Sequence, residues 1–151
     1  MNFLSSSPET TGKIATLLAE EVRKTENRTG RAMIIGLSGN LGAGKTTFVR
    51  SFARSLGIRK RITSPTFLTL RRYALNSKNY KNFFHVDAYR IEKAKELSVL
   101  GFKEIIQNPA NIVVIEWVNK IGRVLPKKII RIEFRHGEKE NERKIKIGVK
   151  K

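Results

Sequence analysis

The stretch from Ile34 to Thr47 constrains this chain more than any other: an apolar run, Ile34-Ile35-Gly36-Leu37, enters a glycine-rich turn that ends in Lys45-Thr46-Thr47. Gly39, Gly44, Lys45 and Thr46 satisfy G-x-x-x-x-G-K-[ST], with a β-branched run before the turn and an amphipathic helical pattern after it. Glycine makes up ~7% of average sequence, so these four fixed positions meet by chance in roughly half a percent of chains of this length. The strand and helix flanks lower that further. The stretch therefore reads as a phosphate-binding loop between a buried strand and a helix.

The chemistry accounts for the residue types. Backbone N–H groups can converge on a phosphate only where side chains are absent or small, and Gly39, Gly42, Ala43 and Gly44 keep that concavity open. The helix N-terminus adds partial positive charge. Lys45 is placed to reach β- and γ-phosphates as a point charge, and the Thr46 hydroxyl to take one position on an octahedral Mg²⁺.

The 151 residues suit one domain, 1–151, with a real core. There is no cysteine, so disulfides and thiolate metal sites are excluded, and two histidines alone do not make a zinc site. With no signal-like N-terminus and no long apolar segment, the expectation is a cytoplasmic protein without a membrane span. Lys and Arg number 31 against 13 Asp and Glu, a net charge of +18, which suits either solvated faces or contact with RNA. Asp87 is the only aspartate.

Along the chain, Ser7-Pro8-Glu9 opens a helix whose apolar face is Ile14, Leu17, Leu18 and Val22, with Thr10 and Thr11 as polar surface in its first turn. Residues 32–37 form a central parallel strand. Phe48, Val49, Phe52, Ala53 and Leu56 are the buried face of the next helix, which Gly57 stops. Thr63-Ser64-Pro65-Thr66-Phe67 sits where a phosphate-loop protein carries a switch segment that senses the γ-phosphate. Phe67 to Tyr73 and Tyr80 to Asp87 pattern as a hairpin, followed by a short helix around Glu96-Leu97 closed by Gly101. Asn111 to Ile115 is a second buried strand, running straight into Glu116: the Walker-B pattern of an acid that binds Mg²⁺ beside the loop strand, against the plainer alternative of a carboxylate capping the sheet. After Pro126, residues 129–134 and 143–149 pattern as a C-terminal β-hairpin, with Lys144 and Lys146 on the solvent face of an edge strand.

Taken together, the loop, Thr63-Ser64-Pro65-Thr66-Phe67, His85-Val86-Asp87-Ala88-Tyr89-Arg90, Glu96-Leu97 with Leu100-Gly101-Phe102, and Ile115-Glu116-Trp117 resemble the TsaE (formerly YjeE) family over nearly the whole chain. That family is the bacterial ATPase required for threonylcarbamoyladenosine (t6A) modification of tRNA. The resemblance implies a P-loop NTPase-like three-layer α/β sandwich with a mixed, mainly parallel sheet and a C-terminal β-hairpin. It implies ATP and Mg²⁺ as cofactors, slow hydrolysis stimulated by partners, and action with the TsaB and TsaD proteins to reset their complex between rounds of modification. By position, Gly39, Asn40, Leu41, Gly42, Ala43, Gly44, Lys45, Thr46 and Thr47 hold the phosphates, and Thr46 and Glu116 bind Mg²⁺. Asp87 orients or deprotonates the attacking water, Lys45 and Thr66 act on the γ-phosphate, and Thr11 and Arg143 match nucleotide-contacting positions. His85 is expected to be structural. Asn40 replaces the family's usual acid, and Val118 the proline often found after Glu-Trp.

Two other functions remain open at the level of sequence. Short phosphate-loop domains include small-molecule kinases, although the only dense basic run near the loop is Arg59-Lys60-Arg61. The net charge of +18 suits an RNA-binding protein that uses nucleotide as a switch, or contact with tRNA through the basic surface.

Overall fold

The structure, a computed structural model, describes residues 1–63 and 70–150. Its elements are β1 (Asn2–Ser5), α1 (Pro8–Lys24), β2 (Met33–Ser38), α2 (Lys45–Ser55), β3 (Leu70–Ala74), β4 (Asn82–Asp87), α3 (Lys95–Ser98), α4 (Phe102–Gln107), β5 (Asn111–Glu116), β6 (Ile129–His136) and β7 (Arg143–Lys150), with single 3₁₀ turns at Val118–Lys120 and Gly122–Val124. The strands form one seven-stranded sheet in the order β1-β7-β6-β2-β5-β4-β3.

Alternation along the central strands decides the layers. Ile35 and Leu37 of β2, Ile112 and Val114 of β5, and Phe83 of β4 face one way and pack with Ile14, Ala15, Ala19 and Val22 of α1 and Phe48, Val49, Phe52 and Ala53 of α2. Ile34, Val113, Ile115, Phe84 and Val86 face the other way and are covered by Leu97, Phe102, Ile106, Val118 and Ile121. Phe48 meets Phe134 of β6 edge to face at 5.6 Å between ring centroids, and Phe52 approaches Phe83 at 6.2 Å, which fixes α2 against the sheet. Ser7 caps α1 as expected, its hydroxyl accepting from Thr10 N at 3.1 Å.

The sheet is less parallel than expected. β6, β2, β5 and β4 run parallel through three ladders, whereas β1–β7, β6–β7 and β3–β4 are three antiparallel ladders. The described parts of both hairpins form, and β3 begins at Leu70, since residues 64–69 lie outside the described residues. The short β1 carries no pattern of its own beyond Phe3, and it pairs outside β7, so β7 is not the edge strand that its lysines suggest. Lys144, Lys146 and Gly148 are exposed on the outer face of β7, as is Leu4 on β1. The face of α1 is also rotated from the sequence reading: Leu17 is 59% exposed, whereas Thr11, at 3%, is buried with its hydroxyl 2.7 Å from Ser5 Oγ. α4 follows Gly101 directly and buries Phe102 and Ile106. Among the described residues, no helix is long and apolar enough to cross a membrane.

Gly36, mid-strand in β2, shows how closely the layers approach: a Cβ there would lie 2.4 Å from Val118 Cγ2. Gly36→Ala is expected to destabilise the fold by about 1–3 kcal/mol through overpacking. Chemical denaturation of Gly36→Ala, Val118→Ala and the double variant checks it. The double variant should be more stable than the sum of the single losses predicts.

Candidate functional site

β2, β5 and β4 are parallel neighbours, so their C-terminal ends collect at one rim of the sheet, the position where open α/β sheets place ligands. The register sets Leu37 beside Glu116 and Asp87 beside Glu116. Glu116 shares the alternation of Ile112 and Val114, and His85 and Asp87 that of Phe83, so all three carboxylate and imidazole groups lie on the α2 side.

The glycine turn bridges β2 and α2. Gly39 has φ 145°, and a Cβ on it would lie 2.6 Å from the Phe134 carbonyl oxygen, so the first motif glycine is required by its contact with β6 as well as by its backbone conformation. Gly44, at φ 98°, immediately precedes α2 and offers no side-chain cap, which leaves the first N–H groups of that helix facing the turn. Ala43 is 1% exposed and its methyl belongs to the core, whereas Asn40, Leu41 and Gly42 are exposed on the turn's outer side and Thr47 is half-buried.

Lys45 folds back over this turn. Its Nζ donates to Gly39 O at 2.6 Å and to Asn40 O at 2.9 Å, and lies 4.2 Å from the centre of the Trp117 ring. Trp117 itself has φ 59°, the one positive φ among the described non-glycine residues, and this turn after β5 sets its indole over Lys45. Tyr89 continues the stack at 4.9 Å from Trp117, and Lys120 lies 5.1 Å from the Tyr89 ring while its amine donates to the Tyr89 carbonyl. Burial pushes the Lys45 amine below the ordinary lysine value, with Glu116 and Asp87 acting in the opposite direction.

Glu116 is 2% exposed and has both oxygens engaged. The Thr46 hydroxyl donates to Oε1 at 2.9 Å, and His85 Nε2 lies 2.7 Å from Oε2. Among the described residues no cluster of three acidic, His or Cys side chains forms a metal cage. Mg²⁺ does not need one: it is bound through one or two protein oxygens, phosphate and water, and an octahedron with ~2.1 Å bonds sets neighbouring oxygens about 3 Å apart. The separation of the Thr46 and Glu116 oxygens fits that edge.

The remaining sequence candidates are placed as follows. Asp87 Oδ1 accepts from Tyr89 N at 3.0 Å, so it caps a turn at the rim. Arg143 begins β7 and its Nη2 donates to Gly42 O at 3.2 Å, joining the C-terminal hairpin to the glycine turn. Thr11 does not reach the turn through any hydrogen bond among the described residues, being bonded to Ser5 instead. Thr66 lies outside the described residues. Sequence reasoning missed the His85–Glu116 contact: spacing puts His85 and Asp87 on one face of β4, but only the pairing of β4 with β5 brings Glu116 to that face.

Residues 5–145 match the family model TsaE, "Threonylcarbamoyl adenosine biosynthesis protein TsaE". The chain is 34% identical over 143 residues to the tRNA threonylcarbamoyladenosine biosynthesis protein TsaE of Bacillus subtilis, covering 94% of this chain and 82% of that one. It is 30% identical to the Treponema pallidum protein of the same name, covering 89% and 91%. The crystal structure of B. subtilis YdiB superposes with a TM-score of 0.72 at 28% identity, covering 99% of this chain and 84% of that one.

The lowered lysine value has a stability consequence. A base whose folded value is depressed opposes folding while charged, and that opposition fades as pH rises through the window from the folded value to the unfolded value of 10.5. Lys45→Met should therefore raise the Tm of the nucleotide-free protein at neutral pH, with the gap to wild type narrowing as pH approaches 10. Thermal unfolding across that range checks both the sign and the trend.

Proposed function

The chain belongs to the TsaE family of threonylcarbamoyl adenosine biosynthesis proteins, and from that premise we propose that it is a Mg²⁺-dependent P-loop ATPase that acts in t6A modification of tRNA with the TsaB and TsaD proteins. One observation carries the nucleotide reading: at the end of a glycine turn that leads into α2, Lys45 and the Thr46–Glu116 pair stand within one constellation assembled from β2, α2 and β5.

In this reading the open N–H groups at the start of α2 and in the turn bind the phosphates. Lys45 exchanges the Gly39 and Asn40 carbonyls for phosphate oxygens, a substitution favoured because its partners in the free protein are neutral. Thr46 and Glu116 hold Mg²⁺, which neutralises charge developing on the transferring phosphoryl group. Asp87, one strand from Glu116, orients or deprotonates water, and Thr66 senses the γ-phosphate. Arg143 steadies the turn through Gly42 and lies near enough to it to contact nucleotide. Asn40 keeps the backbone carbonyl that Lys45 uses while removing the acid usual at that position. Thr11, whose hydroxyl is bonded to Ser5 in the free protein, contacts nucleotide from the first turn of α1.

Lys45→Ala should abolish nucleotide binding by calorimetry. Asp87→Asn should bind ADP within about threefold of wild type and hydrolyse ATP roughly 10²-fold more slowly, at the low end of the range for a lost acid–base group because phosphoryl transfer rests mainly on positioning. Adding TsaB and TsaD should raise wild-type turnover. A chain that neither binds them nor responds to them removes the partner assignment while leaving the ATPase assignment in place.

A further inference from the structure

We propose that His85 is a positioning residue that holds one oxygen of Glu116, leaving only the other turned towards Thr46, and thereby governs the Mg²⁺ requirement of nucleotide binding; this rests on the nucleotide and metal reading above. The imidazole is fully buried, its Nε2 lies 2.7 Å from Glu116 Oε2, and among the described residues its Nδ1 has no hydrogen-bond partner. These facts select one tautomer. A hydrogen on Nδ1 would bury an unsatisfied donor and set the Nε2 lone pair against a carboxylate oxygen. A hydrogen on Nε2 donates to Glu116 and leaves on Nδ1 only an unused acceptor, the milder cost.

The consequence falls on Glu116. With Oε2 bound to His85, the carboxylate cannot turn, and Oε1 alone faces the Thr46 hydroxyl at 2.9 Å. Mg²⁺ demands near-ideal octahedral geometry, which a carboxylate meets by giving one oxygen; two-oxygen chelation belongs to larger, more flexible cations. Partners that orient a ligating group in this manner typically govern metal affinity by 10–100-fold. The backbone explains how the pair arises. β4 pairs His85 with Val114, so the ring reaches along the strand direction towards Glu116, two residues further on the same face.

Two measurements test the role. Long-range ¹H–¹⁵N NMR of the wild-type chain, which has only two histidines and in which His136→Gln identifies the other, should show His85 with its hydrogen on Nε2 with or without nucleotide. A hydrogen on Nδ1 overturns the proposal. Second, ADP affinity is measured by calorimetry in EDTA and across a Mg²⁺ titration for wild type, His85→Gln and His85→Leu. The expected result is near-wild-type binding in EDTA for all three, a Mg²⁺ midpoint at least tenfold higher in His85→Leu, and recovery of most of that loss in His85→Gln, whose amide can donate to the same oxygen. Equal Mg²⁺ response in His85→Leu and wild type overturns the His85 role alone, as does a His85→Gln that behaves like His85→Leu, since packing then explains both. A wild-type chain whose ADP affinity ignores Mg²⁺ overturns the metal reading itself. Should His85→Leu fail to fold, His85→Gln and the tautomer decide the matter.

Discussion

A carboxylate buried to 2% exposure cannot stand without partners, and the partners of Glu116 tie together the parts of this molecule that matter most. Thr46 brings the first turn of α2 to it, His85 brings β4, and its own strand β5 lies beside β2. The parallel register that sets Leu37, Glu116 and Asp87 side by side is therefore more than a packing solution. It delivers three strand ends and one helix N-terminus to a common point. Lys45, pushed down by burial and held up by Glu116 and Asp87, completes a group of charges whose internal balance is only partial.

The constraint on the glycine turn comes from outside it as well. Gly39 is crowded by the Phe134 carbonyl of β6, and Arg143 of β7 reaches the Gly42 carbonyl. The C-terminal hairpin thus buttresses the turn from the side opposite β5. Phe134 also meets Phe48 in the first turn of α2, so the same strand supports both the start of the glycine turn and the start of the helix that follows it.

Much of this was legible in the sequence, and what was not has identifiable physical causes. β2, α2 and β5 declared themselves because a continuous β-branched run and a helical apolar face each have a distinct period, and the glycine motif fixed their junction. β1 escaped because four residues with one inward apolar side chain carry no periodic signal; only pairing with β7 makes them a strand. The share of parallel pairing was overestimated because β1 adds a third antiparallel ladder to those of the two hairpins that the pattern had already announced. Leu17 and Thr11 exchanged places because helix rotation is set by the neighbour: α1 meets α2 along small residues, where a Cβ on Gly12 would lie 2.9 Å from Ser51 Oγ, and this turns Leu17 outward. Around the turn, Lys45 and Thr46 were readable from the motif spacing, whereas Glu116 showed only as an acid at the end of an apolar strand, which a sheet-capping carboxylate would match as well. His85 was read as structural because a histidine's partner depends on strand order, and the adjacency of β4 and β5 is a tertiary fact.

The unequal cover of the sheet divides the protein into two regions of different cohesion. β2, β5 and β4 are walled on both faces by apolar side chains, whereas β7 and β1 present Lys144, Lys146 and Leu4 to water on one face. Amide hydrogens on β1 and β7 should exchange through small local openings, while those on β2 and β5 wait for the whole molecule to unfold. Arg143 sits on the boundary, with its backbone in the looser ribbon and its guanidinium on the glycine turn. Transient fraying of the hairpin would release the turn without disturbing the strands that carry Glu116 and Asp87, so the rim can loosen at one corner while its charged groups stay in register.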